Sequence, residues 1–221
     1  MVENPDALAA RILKSESYIE RNKNLFIGLF VVIAAAVVGG FLYYQNLQTK
    51  NAEAQAAMFQ AEYYLEADSL NKAINGDGQY DGFKQVADEY GSTKAGNLAK
   101  FYAGVAYLKQ GKYQEALNYL EDFKSDDLLL QSRAYSLQGD ATLELGKKDE
   151  AAELYKKAAE HKANDFFSPI YLMKAAVAYE SANKYSEAIE IYDRILNEYP
   201  NSPEVTDAKK YKALAEGLAK K

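Results

Sequence analysis

The chain has 221 residues, no cysteine, a single histidine and a formal net charge of −6. Without cysteine there are no disulfides, no thiolate metal sites and no cysteine nucleophile. The acidity argues against nucleic acid, whose binding needs a basic surface to displace counterions from phosphates.

Residues 1–24 read as a short amphipathic tail, with Leu8, Ile12, Ser15 and Ile19 near one face of a surface helix. From Leu25 to Tyr44 no residue carries a charge. Twenty residues at about 1.5 Å rise measure roughly 30 Å, the thickness of a bilayer's hydrocarbon core. Three readings compete: a permanent span, a cleaved secretory signal and a buried core helix. A core helix in so small a domain would be shorter and show a polar stripe. A signal has a shorter apolar region and a small-x-small exit, whereas this run ends in Phe41, Tyr43 and Tyr44, which suit a membrane–water interface. A span over 25–44 is preferred. Arg11, Lys14, Arg21 and Lys23 precede it and only Lys50 follows closely. Retention of basic residues on the cytoplasmic side predicts a cytoplasmic N-terminus. Residues 45–221 are then exported, into the periplasm if the membrane is the inner membrane of a Gram-negative bacterium.

The four basic and four acidic residues before Gln45 cancel, so the exported part carries the whole excess of negative charge. Gln45 to Ile74 contains neither proline nor glycine, and its alanines, Glu53, Gln55 and Glu62 favour helix. The membrane helix is expected to continue outward. Beyond it, apolar residues recur at three- and four-residue spacing, and Pro169, Pro200 and Pro203 stand where helices begin or end. The predicted fold class is all-α.

Three segments are near-copies: GKYQEALNYLEDF from Gly111, GKKDEAAELYKKA from Gly146 and NKYSEAIEIYDRI from Asn183. Upstream of them stand the small residues Gly104, Gly139 and Ala176, 35 and 37 residues apart. A large apolar residue follows three or four positions later (Tyr107, Leu143, Tyr179), then Ala116, Ala151 and Ala188, then Leu120, Tyr155 and Tyr192. Ala158 fits a further small position from which Phe123 and Ile195 depart, and a helix-ending proline appears only as Pro200. This pattern resembles the tetratricopeptide repeat, a helix–turn–helix unit. FKQVADEYG from Phe83 aligns with YDRILNEYP from Tyr192, which registers a weaker first copy with Ala67 at the small position and Leu70 at the large one. The resemblance implies repeats near 60–93, 97–131, 132–165 and 169–202 and a capping helix over 203–221. Together these make a tetratricopeptide-repeat superhelix of about four helix pairs after one transmembrane helix. Stacked pairs share a core that one pair cannot bury alone.

In this repeat family ligands lie on the concave surface of the first helices. Carried over, the protein-binding groove comprises Tyr64 and Asp68 from the first unit, and Leu98, Phe101, Val105, Leu108 and Lys109 from the second. The third supplies Arg133, Ser136, Asp140, Glu144 and Leu145, and the fourth Ile170, Met173, Val177 and Glu180. The lysines and asparagines of the family's carboxylate clamp are absent. A half-apolar, half-acidic surface suits an extended or helical polypeptide with apolar anchors and some basic residues. Equally, the apolar residues could be covered by neighbouring helices.

No catalytic constellation, cofactor motif or metal-ligand set emerges, and an enzyme is the least supported class. His161 reads as a solvated helix-terminal residue without companion ligands. NGDG, Asn75 to Gly78, reads as a turn, since the regular oxygen ligands and closing glutamate of a calcium loop are missing. Asp126 and Asp127 read as solvated loop charge. Most of the 19 tyrosines fall where a flat side chain fills the gap between repeat helices; the rest could line a binding surface.

A short tail, one span and an exported acidic repeat array together resemble the YfgM-type ancillary subunits of the Sec translocon, and KSESYIERNKN before the span is similar to a Bacteroidetes-type version. That resemblance implies a membrane-tethered, non-enzymatic adaptor working with translocon subunits, periplasmic chaperones or emerging polypeptide, without nucleic acid or a small-molecule substrate. BamD- and CpoB-type repeat proteins are similar too, but the first is anchored through a cysteine this chain lacks and the second is released by signal cleavage. The alternative class is a structural scaffold in an envelope assembly, secretion or motility complex.

Overall fold

The computed structural model describes residue 18 and residues 20–220. The tail helix expected through Leu8, Ile12, Ser15 and Ile19 lies outside the described residues. All regular structure among the described residues is helical. The chain divides into two compact units, Met1–Thr49 and Lys50–Lys221.

The first unit is dominated by the start of helix α1, Lys23–Glu66, which is long and apolar enough to cross a membrane. None of its apolar window is buried. Phe30, Val32, Leu42 and Tyr43 all point outward, which sets aside the reading as a soluble core helix.

In the second unit α1 buries Ala54, Met58 and Ala61, a four-then-three spacing that marks one helical face. That face packs in a cluster with Phe83, Val86, Ala95, Ala99 and Ala103. The short α2, Leu70–Asn75, and α3, Phe83–Tyr90, complete the first repeat. Then come three regular pairs: α4 Lys94–Lys109 with α5 Tyr113–Asp122, α6 Leu128–Glu144 with α7 Lys148–Glu160, and α8 Ser168–Ser181 with α9 Tyr185–Glu198. Helix α10, Val205–Leu218, follows. From α3 onward each helix packs mainly on its neighbours in sequence, so the core is a series of linked clusters.

The repeated Gly-Lys and Asn-Lys of the sequence motifs are one turn used three times. Gly111, Gly146 and Asn183 sit at φ 73, 81 and 61, the left-handed region that glycine and asparagine tolerate best. At each, the next residue's N–H reaches five residues back: Lys112 to Tyr107 O at 3.0 Å, Lys147 to Thr142 O at 3.1 Å, Lys184 to Tyr179 O at 2.9 Å. These bonds satisfy carbonyls that a helix end would leave open.

Close approach explains the glycines upstream. A Cβ on Gly104 would meet Leu120 Cγ at 2.5 Å, and one on Gly139 would meet Tyr155 Cε1 at 2.6 Å. Both partners are buried, and full burial of each such side chain contributes about 1.5–3 kcal/mol.

The first repeat departs from its sequence register. Helix α1 ends at Glu66, Ala67 is exposed, and Asp68 turns the chain with φ 54. The small residues packed without exposure are Ala54 and Ala61. Counting back by a fixed period fails here because α2 and the NGDG loop lengthen the connection. In that loop the Asp77 carboxylate accepts from the N–H groups of Gln79 and Tyr80 and, at 2.6 Å, from the Tyr64 hydroxyl. These bonds hold its pKa down at about 2, the Tyr64 bond first and the two backbone bonds next. The terminal α10 buries only Ala208 and Ala215 and leaves Leu214 and Leu218 exposed.

Candidate protein-binding groove

The first helices of the pairs carry the expected groove residues, and the structure sorts them into three groups. Phe101 and Ser136 are buried. Phe101 stacks in a cluster with Leu120, Phe123 and Ala134, its ring 5.3 Å from that of Phe123. Leu98, Val105 and Leu108 are half-buried against the same and neighbouring clusters. Most of the apolar surface expected of the second repeat is therefore core packing.

The second group consists of charges and polar groups already satisfied within the chain. Asp68 pairs with Lys109 at 2.7 Å, so two expected groove residues neutralise each other. Asp140 accepts from the Lys174 ammonium and from the Tyr155 hydroxyl at the same oxygen, each at 2.6 Å. Lys174 also donates to Ser136 Oγ at 3.1 Å and stands 5.0 Å from the Tyr155 ring centre. Burial first, and the Asp140 bond second, push the Tyr155 hydroxyl well above the usual phenol range. Glu180 accepts from the Tyr192 hydroxyl at 3.1 Å, and Tyr64 is half-buried and occupied with Asp77. Two of the four expected acids, Asp68 and Asp140, are thus neutralised by lysines of the chain, while Glu180 keeps its charge beside a neutral phenol.

The third group is open. Ile170 and Val177 are exposed, Val177 at 49%, with Met173 half-buried between them on α8. Arg133, Glu144 and Leu145 are exposed too. Glu144 lies close enough to raise the pKa of the Tyr113 hydroxyl, mainly through its charge. Among the described residues Arg133 has no carboxylate within ion-pair distance. Of the expected groove residues, those left open are an apolar strip on α8 and, on or just after α6, Arg133, Glu144 and Leu145.

Lys174 and Tyr171 hold no position in the repeat pattern, and Tyr155 is read there only as a packing aromatic. Tyr171 is half-buried, and its hydroxyl is raised chiefly by burial, with Arg133 opposing and Asp140 adding to the shift. One signal could have found Lys174: it lies 34 residues after Asp140, one repeat on. Arg194 stands at the same interval from Glu160, which it meets at 2.9 Å.

A cavity of about 710 Å3 opens mainly along the second helices, lined in part by Leu117, Glu121, Glu153, Leu154 and Glu187, with Tyr179 from α8. None of the expected groove residues lines it. Much of its charge is paired internally, Asp149 with Lys184 at 2.7 Å and Glu150 with Lys147 at 3.4 Å.

Helix pairs closed by the same left-handed turn and packed across a small residue are the architecture of tetratricopeptide repeats, which are generally protein-interaction modules. Residues 101–166 and residues 142–210 match two family models, each described as Tetratricopeptide repeat. A solved structure described as the crystal structure of MamA protein superposes with a TM-score of 0.58 at 18% identity, covering 75% of this chain and 83% of that one. That likeness is one of fold. No curated protein matches the chain.

Proposed function

We propose that this protein is a single-pass inner-membrane adaptor, N-terminus in the cytoplasm, whose periplasmic repeat domain binds polypeptide or a chaperone beside the Sec translocon. The observation that carries it is the combination of an exposed, uncharged helical run with a repeat array whose α8 strip stays apolar and open. The charge bias of the flanks supports the orientation, and the resemblance to YfgM-type subunits supports the translocon as neighbour. A tether raises local concentration at the membrane without adding contacts. No step of chemistry is assigned to any residue, and the role is binding.

The test is co-purification in mild detergent of tagged full-length protein, compared with a version lacking residues 1–44 and exported to the same compartment. Translocon subunits recovered only with the full-length chain, together with clients lost on Val177→Glu, are the expected result. One envelope complex recovered equally with both versions, and no translocon, would make the protein a structural scaffold subunit instead.

A further inference from the structure

In the first two regular pairs, the first helix packs on the repeat before it through positions set by its small residue: five and two residues before it, and two after. For Gly104 these are Ala99, Tyr102 and Ala106. Ala99 lies in the cluster of Phe83, and the Tyr102 ring stacks on the Phe83 ring at 5.3 Å. For Gly139 they are Ala134, Leu137 and Ala141, which pack on Leu120 and Phe123 or on Ala116 and Leu117 of the preceding pair. In α1 the packed small residue is Ala61, and the same offsets fall on Ala56, Phe59 and Tyr63. All three are exposed, Phe59 at 73% and Tyr63 at 59%. The end face of a repeat array is ordinarily polar. This one has the chemistry of an internal repeat interface.

Counting back from Tyr63 by four and three residues alternately reaches Gly28 without meeting a charge, although Lys50, Glu53 and Glu62 lie in the same stretch. That is the spacing of the seam in a two-stranded parallel coiled coil. Ala52 to Tyr63 stand about 12 to 28 Å along the helix beyond Tyr44, past the reach of lipid. An occupant covering the whole stripe must itself cross the membrane. Two copies leaving one bilayer in the same sense stand parallel and at the same height, so each residue of the stripe meets its own counterpart across a two-fold axis. The charges are compatible with that pairing. In a parallel register Gln48 stands across from Glu53 and Gln55 across from Gln60, so no two like charges face each other from Thr49 to Tyr63. Phe59 and Tyr63 of two copies offer about 500 Å2, a third or so of the roughly 1,200–2,000 Å2 of a stable interface, and the rest of the stripe adds to it. We propose that α1 pairs with α1 of a second copy through this outward face, Phe59 and Tyr63 closing it at the outer end. The parallel alignment rests on the membrane reading of residues 25–44 given above.

The chain has no cysteine, so single cysteines in the full-length protein report the seam directly. Ala52→Cys and Ala56→Cys are oxidised in the membranes of expressing cells, beside Gln55→Cys, one residue off the stripe, and Lys209→Cys on α10, both at exposed positions. The expected result is a band at twice 24.6 kDa from the first two, several-fold stronger than from the other two, because a disulfide needs the two Cβ atoms close together. Phe59→Glu combined with Tyr63→Glu changes exposed side chains that the fold does not need. It should abolish the band from Ala52→Cys and halve the sedimenting mass of the full-length protein in detergent. The same membranes are washed with carbonate. Release of the protein would remove the span, and the pairing with it. Retention with no dimer band, a cross-linked product of another mass, equal bands from all four cysteines, or a band indifferent to the two glutamates would overturn the pairing and leave the span standing.

Discussion

Tyr155 and Lys174 reach the same oxygen of Asp140, each at 2.6 Å, from two different helices, so one carboxylate on α6 joins α7 and α8. Removing the phenol oxygen with Tyr155→Phe leaves the ring packed and deletes only the hydrogen bond. The expected loss is about 1–2 kcal/mol, low for a bond to a charged group because the Asp140 side chain is 31% exposed. Asp140→Ala, which strips both partners of their acceptor, should cost more. Urea unfolding of the full-length protein in detergent measures both, and a double-mutant cycle with Lys174→Met isolates the coupling.

Gly139→Ala places a methyl within 2.6 Å of the Tyr155 ring, which is buried and cannot swing aside. Overpacking of this kind costs about 1–3 kcal/mol. Gly217→Ala on α10 is the contrast. Nothing lies within 4 Å of its added Cβ, and alanine's helix preference should stabilise by up to about 1 kcal/mol. Thermal melts that ranked the two variants equally would refute the packing account.

The three left-handed turns make a graded prediction. Asn183→Gly relieves a φ of 61 and should raise stability slightly. Gly146→Ala forces a methyl into φ 81 with open space around it, costing about 1–2 kcal/mol through backbone strain alone. Unfolding midpoints of the two variants should move in opposite directions.

Acid and alkali should act on different ends of the array. Asp77 is depressed from 3.8 to about 2. Its contribution is therefore complete above pH 3.8 and lost as pH falls towards 2. Tyr64→Phe removes the largest cause, so the Asp77 carboxyl should titrate at higher pH in a carboxyl-carbon NMR titration. Tyr155, Tyr179 and Tyr192 are held above 10.0 by burial first and by Asp140, Glu153 and Glu180 next. A phenol that binds its proton more tightly when folded contributes fully below pH 10 and loses that contribution as pH rises past it. Stability should fall above pH 10, less steeply in Tyr155→Phe, as read by urea midpoints across the range.

Local rules were legible in the sequence alone. The uncharged run, the three- and four-residue periodicity, the Gly-Lys and Asn-Lys turns and the small residues at Gly104 and Gly139 all express constraints that act within one or two helices. They sufficed for the all-helical repeat fold. What only the tertiary structure decided is which side chains remain available. Phe101 became core because Phe123 and Ala134 arrive from the next loop and helix, and Asp140 and Asp68 lost their free charge to lysines 34 and 41 residues away. Ala67 gave way to Ala61 because the connection to α3 is longer than the repeat period allows. A helical pattern fixes a residue's face, but the neighbours that cover, neutralise or strand it come from another repeat.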